Sequence, residues 1–392
     1  MKTPVLVAVL IALVAITGFF SFVLAKPNPY PIPAANVNVT LPKGVPYKQL
    51  TTGAWDDFYP AWSPNGTLIA YVSSKSGEPA LWIMNADGSG AFQASSGSEA
   101  VGCPSWNPNS TNVAYWSMNG QDSEIDIYNA ANNSTVTVPG SSSFAVQTKP
   151  AWSPDGLRLA FFVNNGAPQL IVFDLNAGKS AAAANASGPS LTVAWGSNDE
   201  LLYSTSVDGY QQINWLNIGS GAGGALFSGG GNYTAPAVSW NGTIAYYSDF
   251  NTGSYSMYYV GYGGFNIWVA GPDGSNAIFQ YVTAVENEAG STIVQIPYVP
   301  GAIDETYQPA WSPDGTLLVY TAYASGTGYS MFMWDISSWA SSQIGPYGMG
   351  DCIEPSWSPD GSSIAYSSDV GGFYHIWLLS INGNLTSSLV GY

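Results

Sequence analysis

The segment PAWSPDG at residues 150–156, followed by LRLAFF at residues 157–162, carries the pattern that predicts the fold. Its Ser-Pro-Asp-Gly portion has the composition of a type I turn, because proline presets φ at the second position and glycine suits the fourth. An apolar stretch lies on each side of this turn, and the first stretch ends in Trp152. Two apolar segments joined by a tight turn are typical of a β-hairpin. The segment therefore predicts two antiparallel strands with a large aromatic side chain near their connection.

This hairpin pattern recurs along the chain. Close copies begin at Pro60, Pro309 and Pro355, and looser copies lie between the first two of these. The residues at the tryptophan position are Trp62, Trp106, Trp152, Trp195, Val238, Trp311 and Trp357. They are separated by 44, 46, 43, 43, 73 and 46 residues. A period of about 40–45 residues is typical of the four-stranded blades of a β-propeller.

A third apolar segment follows each hairpin, as in LWIM at residues 81–84, and a short fourth strand completes the repeat. The sequence thus predicts an all-β fold, a seven-bladed β-propeller of four-stranded blades over residues 47–392, with the large aromatic side chains packed between blades. Either Leu50-Thr51 or Leu385-Thr386 is expected to supply the strand that closes the ring. The blades are expected near residues 55–98, 99–144, 145–188, 189–230, 231–303, 304–350 and 351–392.

The first 25 residues are predicted to form a hydrophobic helix. Lys2 precedes an apolar run from Val5 to Ala25, which is long enough to cross a hydrocarbon core of about 30 Å. This segment is either a cleaved signal peptide or a retained signal anchor. Residues 26–46 are rich in proline and are expected to form an extended stalk, which suits a retained anchor. Both interpretations place the rest of the chain outside the membrane, either secreted or anchored at the extracellular face.

The composition limits the classes of partner. Lys and Arg contribute 8 residues and Asp and Glu 25, so the formal net charge is -17. So few basic residues cannot neutralise a phosphate backbone, which excludes a nucleic-acid partner. In an exported chain, Asn-x-Ser/Thr sequons predict a glycosylated surface. The candidate acceptors are Asn38, Asn65, Asn109, Asn132, Asn133, Asn185, Asn232, Asn241 and Asn384.

The repeats at residues 60–71, 150–161, 309–320 and 355–366 closely resemble the TolB-type, WD40-like (PD40) β-propeller repeat. The resemblance covers about residues 47–392. It implies a periplasmic or extracellular propeller whose faces and channel bind other proteins. Some members of this family instead cap a hydrolase domain, so the resemblance indicates the fold more strongly than the function.

The sequence gives little support for catalysis. The Gly-x-Ser-x-Gly nucleophile elbow of the family's hydrolases does not occur in it. Any Ser-His-Asp chemistry would depend on His375, the single histidine, which lies at a variable and mostly polar repeat position. We therefore expect His375 to be structural and the protein to lack catalytic residues.

Several carboxylates lie one to five residues ahead of the repeat proline, where the innermost strand of a blade begins. They are Asp56, Asp57, Glu99, Asp304, Glu305, Asp351 and Glu354. Such a ring at the channel mouth has three interpretations: strand-end caps facing water, a site for Ca²⁺ or a cationic ligand, or paired catalytic carboxylates. No other cofactor is indicated.

The long interval in the fifth repeat predicts an aromatic hairpin between its second and third strands. The candidate binding residues are Tyr255, Tyr258, Tyr259, Tyr262 and Phe265. Exposed aromatic tips are typical of surfaces that bind proteins or sugars, although such a hairpin can also fold against the propeller edge. A second extension, Glu286 to Tyr307, is expected to lengthen the link into blade 6.

Cys103 and Cys352 precede the repeat proline in blades 2 and 7 and are expected on the same face. In an oxidising exterior they can form a disulfide, unless the channel holds their Cα atoms beyond the limit of about 7 Å. Taken together, these features favour a non-catalytic module at the cell surface, bound to an unidentified protein or glycan. The alternatives are an extracellular carbohydrate-binding or envelope protein and an enzyme that uses the carboxylates of the channel mouth.

Overall fold

A computed structural model describes residues 47–95, 100–144, 148–250, 264–279, 283–286, 292–295, 299–300, 308–324, 328–337, 341–345 and 350–381. These residues form seven β-sheets whose innermost strands contact one another in sequence around a ring. The predicted seven-bladed, all-β propeller is therefore confirmed. The predicted leader (1–25) and proline-rich stalk (26–46) lie outside the described residues. Within the described ranges, no helix has the length and apolarity needed to cross a membrane.

The first four blades follow the predicted order from the innermost strand to the outermost one. The strand that precedes them is β1 (Tyr47–Gln49). Blade 1 comprises β2 (Asp57–Trp62), β3 (Leu68–Ser73), β4 (Ala80–Asn85) and β5 (Phe92–Gln93). Blade 2 comprises β6 (Val101–Trp106), β7 (Asn112–Asn119), β8 (Asp122–Asn129), β9 (Ser134–Thr137) and the added β10 (Ser143–Phe144). Blade 3 comprises β11 (Ala151–Trp152), β12 (Arg158–Asn164), β13 (Pro168–Asp174) and β14 (Lys179–Asn185). Blade 4 comprises β15 (Val193–Trp195), β16 (Glu200–Val207), β17 (Tyr210–Asn217) and β18 (Gly223–Phe227).

The last three blades contain the additions. Blade 5 comprises β19 (Tyr233–Val238), β20 (Ile244–Ser248), β21 (Gly264–Ala270) and β22 (Ile278–Phe279). Three strands follow in the link to the next blade: β23 (Thr283–Glu286), β24 (Thr292–Gln295) and β25 (Val299–Pro300). Blade 6 comprises β26 (Ala310–Trp311), β27 (Leu317–Ala324), β28 (Gly328–Asp335) and β29 (Ser341–Gln343). Blade 7 comprises β30 (Cys352–Trp357), β31 (Ser363–Ser368) and β32 (His375–Ser380).

The first strand of the chain closes the ring, because β1 pairs antiparallel with β32 and becomes the outermost strand of blade 7. The pairing continues past β1. The Leu50 N–H donates to the Ile376 carbonyl at 2.8 Å, and the Thr51 hydroxyl accepts from the Ile376 N–H at 2.9 Å. Of the two predicted closing segments, the structure therefore uses the one at Leu50-Thr51. Leu385-Thr386 lies outside the described residues.

In blades 2, 3, 4, 6 and 7 the repeat tryptophan is hydrogen-bonded to the blade before it. Trp152 is 8% exposed, and its indole Nε1 donates to the Ser105 carbonyl of blade 2 at 2.9 Å. The same bond runs from Trp106 to Ala61, from Trp195 to Ala151, from Trp311 to Ala237 and from Trp357 to Ala310. Each accepting residue immediately precedes the tryptophan position of its own blade. The predicted packing of aromatic side chains between blades is thus confirmed, and the repeat is found to include a hydrogen bond.

The Ser-Pro-Asp-Gly turn has the predicted geometry. The Gly156 N–H donates to the Ser153 carbonyl at 2.8 Å, and Gly156 has a φ of 70°, which glycine adopts without strain. Asp155 Oδ1 accepts from the Ser153 hydroxyl at 2.6 Å and from the Leu157 N–H at 3.0 Å. The Ser153 hydroxyl is the main reason that the pKa of Asp155 lies below its ordinary value.

The second extension of the fifth repeat reaches further than the sequence predicts. Strands β23 and β24 form an antiparallel hairpin, and β23 pairs in parallel with β29. The extension therefore widens blade 6 to six strands rather than only lengthening a link. Strand β25 pairs with the start of β21, where Phe265 lies opposite Val299.

Candidate functional site at the channel mouth

Four innermost strands are interrupted immediately ahead of the repeat proline. In β2 the pairing register shifts between Phe58 and Ala61, and β6, β19 and β30 shift at the same place. Proline has no N–H for the ladder, so it favours a bulge at this position. The residue ahead of the proline adopts a positive φ. The values are 55° at Tyr59, 51° at Cys103, 52° at Ala235 and 60° at Glu354. Positive φ is uncommon outside glycine and clusters at functional positions, so this place in the repeat marks a candidate site.

The residues ahead of the repeat prolines surround one pocket. Its lining includes Tyr59, Cys103, Lys149, Gln308 and Glu354, together with the prolines that follow four of them. These residues come from blades 1, 2, 3, 6 and 7. We call this the mouth pocket, and we call the end of the ring where the innermost strands begin the mouth face. The opposite end, which carries the Ser-Pro-Asp-Gly turns, is the turn face.

Glu354 is a carboxylate in the wall of the mouth pocket. It is 8% exposed, and its Oε2 accepts from the Tyr59 N–H and from the Ser367 hydroxyl, each at 2.6 Å. A buried carboxylate with two short hydrogen bonds is held firmly in one orientation. Glu354 therefore ties the innermost strand of blade 1 to blade 7.

Asp351 bridges two blades on the mouth face. Its Oδ1 accepts from the Tyr329 N–H of blade 6 at 2.9 Å. Its own N–H donates to Asp369, at the end of the second strand of blade 7, at 2.6 Å. The side chain therefore caps a strand of the preceding blade while its backbone is held within its own blade. We call this pair of bonds the inter-blade clasp.

The clasp occurs at two further junctions. Asp56 Oδ1 accepts from the Tyr374 N–H of blade 7 at 2.9 Å. In blade 5 the same place is taken by Asn232, whose Oδ1 accepts from the Gln211 N–H of blade 4 at 2.9 Å. An asparagine can replace the aspartate because the clasp needs an oxygen acceptor and not a charge. Two predicted binding residues, Asp56 and Asp351, are thus engaged with backbone of the neighbouring blade.

Asp57 and His375 form a buried pair between blades 1 and 7. His375 Nδ1 lies 3.3 Å from Asp57 Oδ2, and the two residues are 7% and 1% exposed. Each is the first residue of its strand, and the Asp57 N–H donates to the Tyr374 carbonyl at 2.8 Å. The pair therefore lies in an interface between blades, out of reach of a dissolved substrate.

Negative charge collects around Tyr374 on the mouth face. Burial raises the pKa of Tyr374 far above its ordinary value, and the nearby carboxylates of Asp369, Asp351 and Glu354 raise it further. Its hydroxyl lies 3.4 Å from Asp351 Oδ2. A cluster of carboxylates beside a half-buried phenol attracts cationic groups. The junction of blades 7 and 1 is therefore the electronegative side of the mouth.

Of the remaining predicted binding residues, only Phe265 lies within the described structure. Phe265 is half-buried and packs against a core cluster of blades 5 and 6, which includes Tyr247 and Trp334. The others lie outside the described residues and stay predictions: Glu99, Asp304, Glu305, Tyr255, Tyr258, Tyr259 and Tyr262.

The predicted disulfide alternative is not found in the structure, which holds Cys103 and Cys352 as separate buried thiols. Cys103 packs in the cluster between blades 2 and 3, and Cys352 packs in the cluster between blades 6 and 7. Burial in two different interfaces keeps the sulfur atoms apart. Burial also raises the pKa of Cys352 to about 12, so this thiol is a packing residue and not a nucleophile.

Three residues of the mouth pocket with polar side chains were not predicted as site residues: Tyr59, Lys149 and Gln308. Each lies directly ahead of a repeat proline and is not a carboxylate, so only an alignment of that repeat position brings the three together. The conformation that turns the position into a bulge is visible only in the folded strand.

Among the residues that the structure describes, no three His, Cys, Asp or Glu side chains are grouped so that they could hold a metal ion. Asp56 and Asp351 use oxygen atoms in the clasps, and Glu354 uses one in its bridge. The Ca²⁺ site at the channel mouth therefore stays a prediction that depends on Glu99, Asp304 and Glu305.

Comparison with known proteins places the fold. No protein-family model matches the sequence. A TolB homologue from Chlorobium luteolum is 29% identical over 133 residues, which span 34% of this chain and 30% of that protein. An oligogalacturonate lyase in complex with manganese is similar in structure, with a TM-score of 0.65 and 12% identity over 88% of this chain and 95% of that chain.

A third similar protein is the β-propeller domain of the Trilobed protease from Pyrococcus furiosus. Its TM-score is 0.59 with 12% identity, over 83% of this chain and 96% of that chain. That domain is described as having an open velcro topology, whereas β1 closes the ring here. At 12% identity the two structural similarities establish the fold alone. The repeat motif and the seven-bladed ring support a TolB-type, WD40-like β-propeller fold, and 133 residues of this chain are similar to a TolB homologue.

Proposed function

We propose that this protein is a non-catalytic interaction module of the cell envelope, which binds its partner through the mouth face. The proposal rests on how the carboxylates of the mouth face are hydrogen-bonded. Asp56, Asp351 and Glu354 each accept hydrogen bonds from a neighbouring blade, which suits a rigid scaffold better than proton transfer.

The same bonds favour binding by a pre-organised surface. The clasps, the Glu354 bridge and the closing strand hold the mouth face in one arrangement before a partner arrives. A surface that needs no ordering loses less free energy on association. This supports recognition by fixed shape and charge.

The charge of the mouth face favours a partner segment with basic side chains. Asp351, Asp369 and Glu354 gather at the junction of blades 7 and 1, and the whole chain has a net charge of -17. Complementary charge mainly increases the association rate and makes it dependent on salt. The partner is therefore a surface protein that presents Lys or Arg to the mouth pocket.

The location is part of the same proposal. The apolar leader and the TolB-type repeat support export, with the chain held at the outer face of the membrane by its first 25 residues or secreted after their removal. Protease added to intact cells is expected to degrade the protein. Full-length protein recovered in the cytosolic fraction would contradict export.

Affinity capture from detergent-solubilised envelopes tests the binding face. The mouth variant Asp351→Asn/Glu354→Gln removes two negative charges while an amide oxygen remains to accept the bonds of the clasp and of the bridge, and it should lose the captured partner. Leu157→Ala on the turn face is the matched control, because Leu157 is 44% exposed and lies across the ring from the mouth. Partner retained by the mouth variant and lost by Leu157→Ala would show that the assigned face is wrong.

A second candidate is an enzyme or binder of acidic oligosaccharides, because the ring shares its fold with an oligogalacturonate lyase over most of both chains. The mouth pocket holds a lysine that could receive a carboxylate of such a sugar. The test is release of unsaturated uronate from oligogalacturonate, with and without Mn²⁺, for the wild type and Lys149→Ala. Turnover that Lys149→Ala abolishes would favour this candidate over the interaction module.

A further inference from the structure

The turn face carries a set of asparagines in equivalent positions. In blades 1, 2 and 5 the turn between the first two strands has asparagine where blades 3, 6 and 7 have aspartate. The asparagines are Asn65, Asn109 and Asn241, and the aspartates are Asp155, Asp314 and Asp360. Threonine follows each asparagine by two positions, so the exchange of aspartate for asparagine completes a sequon.

These sequons share one hydrogen-bond geometry. Asn65 Oδ1 accepts from the Thr67 N–H at 3.1 Å and from the Thr67 hydroxyl at 2.7 Å. The bond from the backbone N–H two residues ahead recurs at Asn109 (3.0 Å), Asn132 (3.1 Å) and Asn241 (3.1 Å). This is an Asx turn, and it occupies the oxygen of the side-chain amide. All four asparagines are exposed, and their Nδ2 atoms donate no hydrogen bond within the described structure.

The fourth member of the set lies on the same face by topology. Asn132 is in the turn between β8 and β9, the third and fourth strands of blade 2. In an antiparallel blade, the turn after the first strand and the turn after the third lie at the same end. Four exposed sequons with unoccupied amide nitrogens are therefore collected on the turn face.

The sequon at Asn232 is built differently. Its Nδ2 donates to Asp249 Oδ2 at 2.8 Å, and its Oδ1 holds the clasp to Gln211 on the mouth face. Thr234, which completes the sequon, is 1% exposed. A sugar on Asn232 Nδ2 would displace the Asp249 carboxylate that this nitrogen contacts and has no room beside Thr234, so this sequon is closed to modification.

Two other described sequons also differ from the set. Asn133 Oδ1 accepts from the Tyr128 hydroxyl at 2.7 Å, and a glycan on Asn132 would cover the adjacent residue. Asn185 ends β14 on the mouth face, and the Ser187 hydroxyl of its sequon donates to the Ser206 carbonyl at 2.6 Å.

We propose that Asn65, Asn109, Asn132 and Asn241 are N-glycosylated, so that the turn face is a glycan-coated face. The inference rests on the proposed export. In the reaction, Nδ2 attacks the anomeric carbon of a lipid-linked oligosaccharyl diphosphate. The N–C bond forms, the bond from that carbon to the diphosphate oxygen breaks, Nδ2 releases one proton and the lipid diphosphate leaves. Hydrophilic glycans on the turn face leave the mouth pocket open to the partner.

Glycopeptide mass spectrometry of the full-length protein from the envelopes of its own cells tests the assignment. We expect a glycan on each of the four turn-face asparagines and none on Asn232, which acts as the internal control. Asn65→Asp should remove one glycan mass while preserving the turn, because aspartate occupies this place in blades 3, 6 and 7.

Creating a new sequon gives a sharper test than removing one. Asp314 Oδ1 accepts from the Thr316 N–H at 3.1 Å and from its hydroxyl at 2.9 Å, nearly the geometry of Asn65. Asp314→Asn should therefore add one glycan mass at residue 314, and the double variant Asp314→Asn/Thr316→Val should not. Asp155→Asn, prepared in the same way, should also gain no glycan, because Leu157 does not complete a sequon.

The outcomes separate this inference from the proposed location. Exported protein with bare turn-face asparagines, or with a glycan on Asn232, would overturn the glycan assignment and leave the interaction module standing. Unmodified protein found only inside intact cells would overturn export, and the glycan assignment with it.

Discussion

At the scale of single residues, the repeat tryptophan joins neighbouring blades through both a buried indole and a hydrogen bond. Trp152 is 8% exposed and donates to the Ser105 carbonyl of the blade before it. Apolar burial supplies the larger part of such an interaction, because a hydrogen bond exchanged with water contributes about 1 kcal/mol net. The two contributions can be separated by substitution.

We expect Trp152→Ala to lower the free energy of unfolding by about 3–5 kcal/mol, because it opens a cavity between blades. Trp152→Phe keeps most of the packing and should cost less. Urea denaturation followed by circular dichroism measures both. Trp240→Ala is the control, since Trp240 is 76% exposed. An equal loss for Trp152→Ala and Trp240→Ala would contradict the buried role of Trp152.

At the scale of elements, the clasp shows which feature of a side chain the fold requires. Asp351 and Asn232 hold equivalent backbone N–H groups of their neighbouring blades, so an oxygen acceptor is sufficient. We expect Asp351→Asn to change the unfolding free energy little and Asp351→Ala to lower it by about 1–2 kcal/mol, because the Tyr329 N–H loses its acceptor. Equal stability of the two variants, measured by chemical denaturation, would show that the clasp does not stabilise the ring.

The closing strand is the second element whose contribution can be measured. Leu50→Pro removes the N–H that donates to the Ile376 carbonyl, and proline cannot replace that donor. We expect it to lower the unfolding free energy by about 1–3 kcal/mol more than Leu50→Ala, which keeps the N–H. Hydrogen exchange of β32 should quicken in Leu50→Pro. Unchanged exchange there would mean that the ring closes through another segment.

At the scale of the whole molecule, the turn aspartates link stability to acid. The pKa values of Asp155, Asp314 and Asp360 lie below the ordinary value, chiefly through the serine hydroxyl of each turn. A lowered pKa in the folded state means that the stabilisation is present above the unfolded pKa of about 3.9 and is lost as the pH falls through the folded value. The ring should therefore lose stability below about pH 4.

Exchanges between aspartate and asparagine test this dependence. Asp155→Asn should reduce the fall of the melting temperature at acid pH, since one titrating turn aspartate is removed. Asn65→Asp is the reverse change. It should make the melting temperature fall more steeply at acid pH, because the Ser63 hydroxyl already donates to Oδ1 of residue 65 at 2.8 Å. Both proteins should be prepared in a host without N-glycosylation. The same dependence of melting temperature on acid pH in both variants would contradict the proposed contribution of the turn aspartates.

Much of this protein follows from local sequence alone. A Ser-Pro-Asp-Gly turn selects its own geometry from the preferences of proline and glycine, and its recurrence every 43–46 residues in most of the chain sets the blade length. Because a blade buries its faces only against other blades, seven repeats imply a ring with aromatic side chains between its members. The all-β class, the number of blades and the packing of the tryptophans were predictable for this reason.

The tertiary structure decided what depends on residues far apart in the chain. The choice of closing strand, the attachment of β23 to blade 6 and the clasps all join separate blades, and short-range preferences contain no information about such pairs. The two cysteines occupy equivalent repeat positions, yet their burial in different interfaces keeps them apart. The mouth carboxylates looked available for binding in the sequence. Their role as acceptors of neighbouring strands appears only when the ring brings the backbone N–H groups beside them.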